Sequence, residues 1–85
     1  MALELRIQPR AEKDFAGLPR DIRDRIKARI EAYAAEPQNT RHDVVPLLGS
    51  LSGHRLRVGD WRVLFAVVEG HMEVTRVMHR REAYR

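Results

Sequence analysis

The residues of this chain that are best suited to chemistry are arginines grouped around a short turn. Positions 55–62 read Arg-Leu-Arg-Val-Gly-Asp-Trp-Arg, so charged and apolar side chains alternate on both sides of Gly-Asp. A two-residue turn with glycine first is typical of a type II′ β-hairpin. Counting outward from this turn predicts that Arg57 and Arg62 lie opposite each other on one sheet face, with Arg55 on the same face. Like charges so placed repel each other, and we expect the pair to bind an anion.

A second turn determines which residue joins the predicted arginine pair. A two-residue loop at Gly70-His71 predicts His79 opposite Arg62, whereas a three-residue loop predicts Arg80 there, and the sequence does not decide this one-residue register. In both registers a third cationic or titratable group lies beside the arginines. His79 is also a candidate for proton transfer, because imidazole titrates near neutral pH.

The two central arginines also have structural interpretations that the sequence leaves open. Arg57 is also compatible with a solvated side chain on an edge strand. Arg62 lies in the segment predicted as the central strand, where a buried guanidinium without a partner is very costly. A salt bridge from Arg62 to Glu73 or Asp43 is the alternative to an anion-binding role.

Two helices precede the predicted hairpins. The first ends at the break formed by Gly17-Leu18-Pro19, and the second should end near Glu36, because Pro37 disfavours helix in the residue before it. The apolar residues that define the helices are Ala11, Phe15 and Leu18 for the first and Ile22, Ile26, Ile30 and Tyr33 for the second.

The other apolar segments predict strands. Alternation of apolar and polar residues over 3–7 indicates a half-buried first strand, and further strands are predicted at 54–58, 61–69 and 72–80. Residues 37–53 lack periodicity and are predicted as a loop with a short anchoring piece at 44–51. The order βααβββ predicts one α+β domain over residues 1–85, with an N-terminal αα-hairpin packed on a largely antiparallel four-stranded sheet. Trp61 and Phe65 are expected in the core, on the face opposite the arginines.

Composition restricts the partners and the compartment. The net charge is +4, and fourteen of the sixteen basic residues are arginines, which bind phosphate in a bidentate manner. A basic surface favours nucleic acid or an acidic protein as partner. There is no cysteine, no signal peptide pattern and no apolar run long enough for a bilayer, so we expect a cytoplasmic protein without a membrane partner. No residues have the spacing of metal ligands, and we expect neither a metal nor another cofactor.

Three segments together resemble the RelE/ParE toxin superfamily. They read LPRDIRDRI at 18–26, RLRVGDWRVLF at 55–65 and HRREAYR at 79–85. The resemblance covers essentially the whole chain and implies a toxin of a type II toxin–antitoxin module. It implies as partner a small antitoxin whose acidic C-terminal segment covers the basic face, and operator DNA would be bound only through that complex.

The resemblance implies three alternative activities. RelE-like members cleave mRNA in the ribosomal A site without a metal, and this is our first expectation for the chain. ParE-like members share the fold but inhibit DNA gyrase. An inactive relative that acts only as a co-repressor with its antitoxin is the third alternative.

The resemblance also implies roles for single residues. It makes Arg62, Arg80 and Tyr84 the catalytic residues and Arg55, Arg57 and Arg81 the RNA-binding residues. The chain departs from the nuclease pattern at two places. Gly53 and His54 stand where RelE-like nucleases often have lysines. In addition, because only one residue follows Tyr84, the sequence predicts no C-terminal helix.

Overall fold

A computed structural model describes residues 2–47 and 53–83 of the chain. Two helices cover one face of a twisted sheet, and a single helical turn follows the last strand. The elements are β1 (Glu4–Ile7), α1 (Pro9–Ala16), α2 (Arg20–Ala35), β2 (Val44–Pro46), β3 (Gly53–Val58), β4 (Trp61–Val68), β5 (His71–His79) and α3 (Arg80–Ala83).

The sheet has five strands in the order β1-β5-β4-β3-β2. β1 pairs with β5 in parallel, and all other neighbours are antiparallel. The predicted α+β class is confirmed. The predicted count of four strands is one too low, because the first part of the anchoring piece pairs with β3 as β2. Residues 48–51 of that piece lie outside the described residues. A three-residue strand is too short to show the alternation by which the sequence reveals strands.

The helices begin and end where the prolines and Gly17 predict. Pro9 occupies the first turn of α1, where its missing N–H leaves no hydrogen bond unmade, and Gly17 follows the last residue of α1. Pro19 is the N-cap of α2, and α2 ends just before Glu36. The backbone N–H of Leu3 donates to the Ala34 carbonyl (2.6 Å), which ties the end of α2 to the start of β1.

The core lies between the two helices and one face of the sheet. The predicted stripe of α2 is buried there, with Ile22 half-buried at its start. Phe65 is buried in the same layer and Trp61 packs against it, so the core positions predicted for both are confirmed. The buried apolar side chains of the described residues include Ala11, Phe15, Ile26, Ile30, Tyr33, Ala34, Leu56, Val58, Val63, Phe65, Met72, Val74 and Val77.

The first hairpin has the predicted turn and register. Of its two turn residues, Gly59 has a positive φ (59°) and Asp60 does not, as a type II′ turn requires. Arg57 consequently lies opposite Arg62. Their neighbours along the strands face the helices, so both arginines lie on the face away from the core.

The second hairpin turns one residue earlier than predicted. Val68 pairs with His71, which makes Glu69-Gly70 the two-residue loop. Glu69 has φ 48° and Gly70 has φ 80°, so both residues adopt the positive φ of a type I′ turn. Glutamate is not among the residues that favour this conformation, which is why the sequence points to the wrong pair of residues.

A β-bulge then shifts the register between β4 and β5. Thr75 is the extra residue on β5, and its Oγ1 donates to a carbonyl of β4 (3.1 Å). Met78 therefore lies opposite Arg62. The sequence predicts His79 or Arg80 at this position, and both alternatives are wrong, because the early turn and the bulge together move β5 along β4.

Candidate functional site

Arg62 is a buried arginine that supports the first turn. Its exposed fraction is 7%, and its Nη1 donates to the carbonyl oxygens of Gly59 (2.8 Å) and Trp61 (2.9 Å). The predicted alternative of a salt bridge to Glu73 or Asp43 is wrong, since no ion pair between described residues joins Arg62 to either of them and Asp43 is engaged elsewhere. The guanidinium instead brings a fixed positive charge to the turn backbone.

Arg57 forms the ion pair that involves Asp43. Its Nε lies 3.0 Å from each carboxylate oxygen, and its backbone N–H donates to the Asp43 carbonyl (2.9 Å). Because β2 flanks β3, Arg57 is not on an edge strand, and that interpretation is wrong. Arg55 lies two residues back on the same face, opposite Leu64, and is half-buried.

Arg80 reaches the same turn from the end of β5. Its backbone N–H donates to the Asp60 carbonyl (2.7 Å), and its Nη1 lies 3.7 Å from the Asp60 carboxylate. The side chain is 59% exposed, in contrast to the buried Arg62. The carbonyls of three consecutive residues, 59 to 61, therefore each accept a hydrogen bond from Arg62 or Arg80.

A helical turn follows the last strand and precedes Tyr84, whereas the prediction that no helix follows Tyr84 lies outside the described residues. Arg80–Ala83 forms one helical turn, α3. The strand ends at His79, whose partner Trp61 is the first residue of β4, and the backbone pairing finishes with the bond from Arg80 to the Asp60 carbonyl. Arg81 lies exposed on α3. Tyr84, the third predicted catalytic residue, lies outside the described residues.

His79 is not brought together with the arginine pair. It lies opposite Trp61, with the two rings 5.3 Å apart edge to face, on the side of the sheet that faces the helices. Arg62, the next residue on β4, points to the other side. The His79 Nδ1 accepts a hydrogen bond from the backbone N–H of Arg81 (3.3 Å).

Arg25 is a residue near the turn that the sequence did not single out. It belongs to α2, and its Nη2 lies 3.5 Å from the point where a Cβ on Gly59 would sit. Cζ and Nη1 lie 3.8 Å from the same point. In the sequence Arg25 is one of several arginines on the polar side of α2, and helical periodicity alone does not show which of them reaches the sheet.

Burial raises the pKa of Tyr33, whose ring lies between Phe65 (centroids 4.9 Å apart) and His42 (5.1 Å) in the core.

Within residues 2–47 and 53–83, no three acidic or histidine side chains are grouped closely enough to hold a metal ion. The helices of the described chain are too short or too polar to cross a membrane.

Comparison with known proteins agrees with this architecture. The model of the family described as "ParE toxin of type II toxin-antitoxin system, parDE" matches residues 5–84. No curated protein matches the chain. A chain of the RelB–RelE antitoxin–toxin complex of Methanococcus jannaschii is 29% identical, with a TM-score of 0.78 over 93% of this chain and 94% of that chain.

Two further structures have the same fold at lower identity. A chain of the RelE–RelB complex of Pyrococcus horikoshii OT3 is 24% identical, with a TM-score of 0.78 over 94% of this chain and 97% of that chain. A chain of the RelBE2 toxin–antitoxin complex of Mycobacterium tuberculosis is also 24% identical, with a TM-score of 0.78 over 94% and 100%.

Helices on one face of a mixed five-stranded sheet, with arginines gathered at one hairpin turn, define a RelE-like toxin fold. The chain belongs to the ParE toxin family of type II toxin–antitoxin systems, within the RelE/ParE superfamily that its sequence resembles.

Proposed function

We propose that this toxin is a metal-independent endoribonuclease that cleaves ribosome-bound mRNA in the manner of RelE. The observation that supports the proposal is the pairing of a buried and an exposed arginine on one turn. Arg62 is fixed by two turn carbonyls, and Arg80 is anchored by its backbone while its guanidinium faces solvent. A fixed, buried cation beside a solvent-exposed one is suited to a reaction that gathers negative charge on phosphate.

The reaction is an attack of a ribose 2′-OH on the adjacent phosphorus. The O2′–P bond forms and the P–O5′ bond breaks, and the proton lost by the 2′-OH is balanced by one gained at O5′. Negative charge builds on the non-bridging oxygens, which Arg80 contacts directly and which Arg62 stabilises through its fixed charge. His79 is assigned no step, because it faces Trp61 on the other side of the sheet.

The other predicted residues hold the RNA. Arg55, Arg57 and Arg62 lie on the sheet face away from the helices, which we call the open face. Arg81 extends the positive surface onto α3. Arg55, Arg57 and Arg81 contact backbone phosphates. Tyr84, by the resemblance, stacks on a nucleobase or transfers a proton.

We also propose a cognate antitoxin as the partner at rest. The solved relatives are complexes of RelE with RelB. Our chain has a net charge of +4, and its arginines concentrate at one turn. An acidic, partly disordered antitoxin segment that folds across this surface would neutralise the same charges that bind RNA.

A second candidate function is inhibition of DNA gyrase. It is favoured by the match to the ParE family model and by the environment of His54. This residue stands where a nuclease lysine is expected, and its ring stacks on Phe65 (5.3 Å) on the core side of the sheet. It therefore adds no charge to the open face.

Brief induction of the toxin without antitoxin, with two readouts from the same cells, tests these functions. Primer extension on abundant transcripts measures mRNA cleavage, and the topoisomer distribution of a reporter plasmid measures gyrase activity. We expect new mRNA ends within minutes and unchanged supercoiling. Relaxed plasmid with intact mRNA would support the gyrase alternative. Undiminished growth with neither change would contradict both.

A further inference from the structure

Three different elements bring an arginine to the Gly59-Asp60 turn. Arg62 comes from β4, Arg80 from the junction of β5 and α3, and Arg25 from α2 on the other side of the sheet. Because Gly59 has no side chain, the guanidinium of Arg25 lies close to the turn backbone. The positive surface of the open face therefore continues past the turn onto α2.

The donors of Arg25 are available to a ligand. Arg25 is exposed, and it takes part in none of the ion pairs formed between residues 2–47 and 53–83. The guanidinium lies close enough to Gly59 that a Cβ there would be in van der Waals contact with it. By comparison, Arg20 on the same helix lies 4.0 Å from Asp24. An exposed guanidinium with unused donors is suited to bidentate contact with a phosphate.

We infer that Arg25 binds a backbone phosphate of the RNA strand whose scissile phosphate lies at Arg80. The inference rests on the proposed ribonuclease function and adds a direction to it: the strand crosses the Gly59-Asp60 turn and continues along α2. The phosphate at Arg25 and the scissile phosphate at Arg80 then belong to the same RNA strand. Arg25 is a positioning residue, because it binds the substrate away from the reacting bond.

The salt dependence of RNA binding tests the role of Arg25. Binding of a single-stranded RNA oligonucleotide is measured by fluorescence anisotropy at several salt concentrations for the wild type, Arg25→Ala and Arg25→Lys. The slope of log K against log [salt] is negative, and each lost phosphate contact makes it less steep by about 0.7. We expect this change for Arg25→Ala and a slope close to the wild type for Arg25→Lys, which keeps the charge.

Arg6→Ala is the matched control. Arg6 is an exposed arginine of the edge strand β1, which β5 separates from the β3–β4 hairpin, and its contact with Glu4 is long (3.9 Å). Arg6→Ala removes one positive charge, as Arg25→Ala does, and should leave the slope unchanged. Thermal melts of both variants check that the fold is intact. Equal slopes for Arg25→Ala and Arg6→Ala would overturn the inference.

Two further outcomes separate this inference from the proposed function. If the wild type cleaves mRNA and Arg25→Ala and Arg6→Ala have the same salt slope, the role assigned to Arg25 is wrong while the nuclease proposal stands. If the wild type does not cleave but Arg25→Ala makes the slope less steep, the nuclease proposal is wrong while Arg25 remains an RNA contact. Weakened binding of an acidic peptide with an unchanged RNA slope would assign Arg25 to a protein partner and overturn the inference.

Discussion

The two hairpin turns of this protein have the same length but different surroundings. The β3–β4 turn, Gly59-Asp60, is contacted by arginines from three elements. The β4–β5 turn, Glu69-Gly70, is open: a Cβ on Gly70 would meet no atom of the described residues within 4 Å. The first turn is thus built into a charged site, whereas the second accepts a backbone hydrogen bond from the Glu4 N–H of β1 (2.9 Å) at its Gly70 carbonyl.

The difference shows how a small fold separates its tasks. Both turns keep the chain in register by the positive φ of a glycine. Among the described residues, the first turn differs in that carbonyls at the turn accept hydrogen bonds from the Arg62 guanidinium and from the Arg80 backbone N–H.

Removal of the buried arginine should have the largest effect. Arg62→Ala leaves the Gly59 and Trp61 carbonyls without this donor, so we expect a loss of about 1–3 kcal/mol in the free energy of unfolding. His71→Ala at the second turn loses a hydrogen bond to Val68 (3.2 Å) and a contact with the exposed Glu4 carboxylate (2.9 Å), and it should cost less because these partners are solvent-accessible. Urea denaturation measures both. Equal losses would contradict the role of Arg62 in supporting the first turn.

The two glycines should differ in function but not in stability. Alanine at either position is strained by the positive φ, at a cost of about 1–2 kcal/mol. Gly59→Ala also places a methyl group against Arg25, so it should weaken RNA binding, whereas Gly70→Ala should not. Anisotropy titrations with the same RNA, at a temperature where both variants are folded, distinguish the two effects. A loss of RNA binding in Gly70→Ala would count against the contrast.

The two acidic turn residues provide a finer test. Asp60 lies 3.7 Å from the Arg80 guanidinium and opposes an incoming phosphate. Asp60→Asn should therefore tighten RNA binding several-fold and change the stability little, since exposed ion pairs contribute only about 0.2–1 kcal/mol. Glu69→Gln removes the same charge at the second turn. If it tightens binding equally, the effect is one of net charge and not of the site.

A change in the core should leave the contrast between the turns intact. Burial raises the pKa of Tyr33, so the unfolded state loses the phenol proton first as the pH rises. The stabilisation is complete below the unfolded pKa of about 10 and decreases as the pH rises through the higher folded value. Tyr33→Phe should remove this part of the alkaline loss, measured by urea denaturation at pH 8 to 11, without changing RNA binding. An unchanged pH profile would argue against the burial effect.

The sequence predicts the first hairpin well and the second poorly, for identifiable reasons. Glycine in the first turn position and alternation on both sides determine the register of Arg57 against Arg62. In the second hairpin a glutamate adopts a positive φ, and the bulge at Thr75 has no local signal. The partner of Arg62 therefore depends on tertiary packing.

Two other features of the site were also beyond the sequence. β2 has three residues and gains its strand conformation by pairing with β3. Arg25 resembles its neighbours on α2, and only the close packing of that helix over Gly59 distinguishes it. The sequence therefore indicates the candidate arginines, but it does not indicate their neighbours across the fold.

Ribosome-dependent cleavage by Arg80→Ala, with Arg6→Ala as the control, tests the central claim most directly. Arg80 is exposed and makes its structural hydrogen bond through the backbone, so the variant should fold. With purified ribosomes and a defined mRNA, we predict a decrease of about 10²–10³-fold in the cleavage rate for Arg80→Ala and an unchanged rate for Arg6→Ala. Equal rates for the two variants would contradict the assignment of this turn as the site of RNA cleavage.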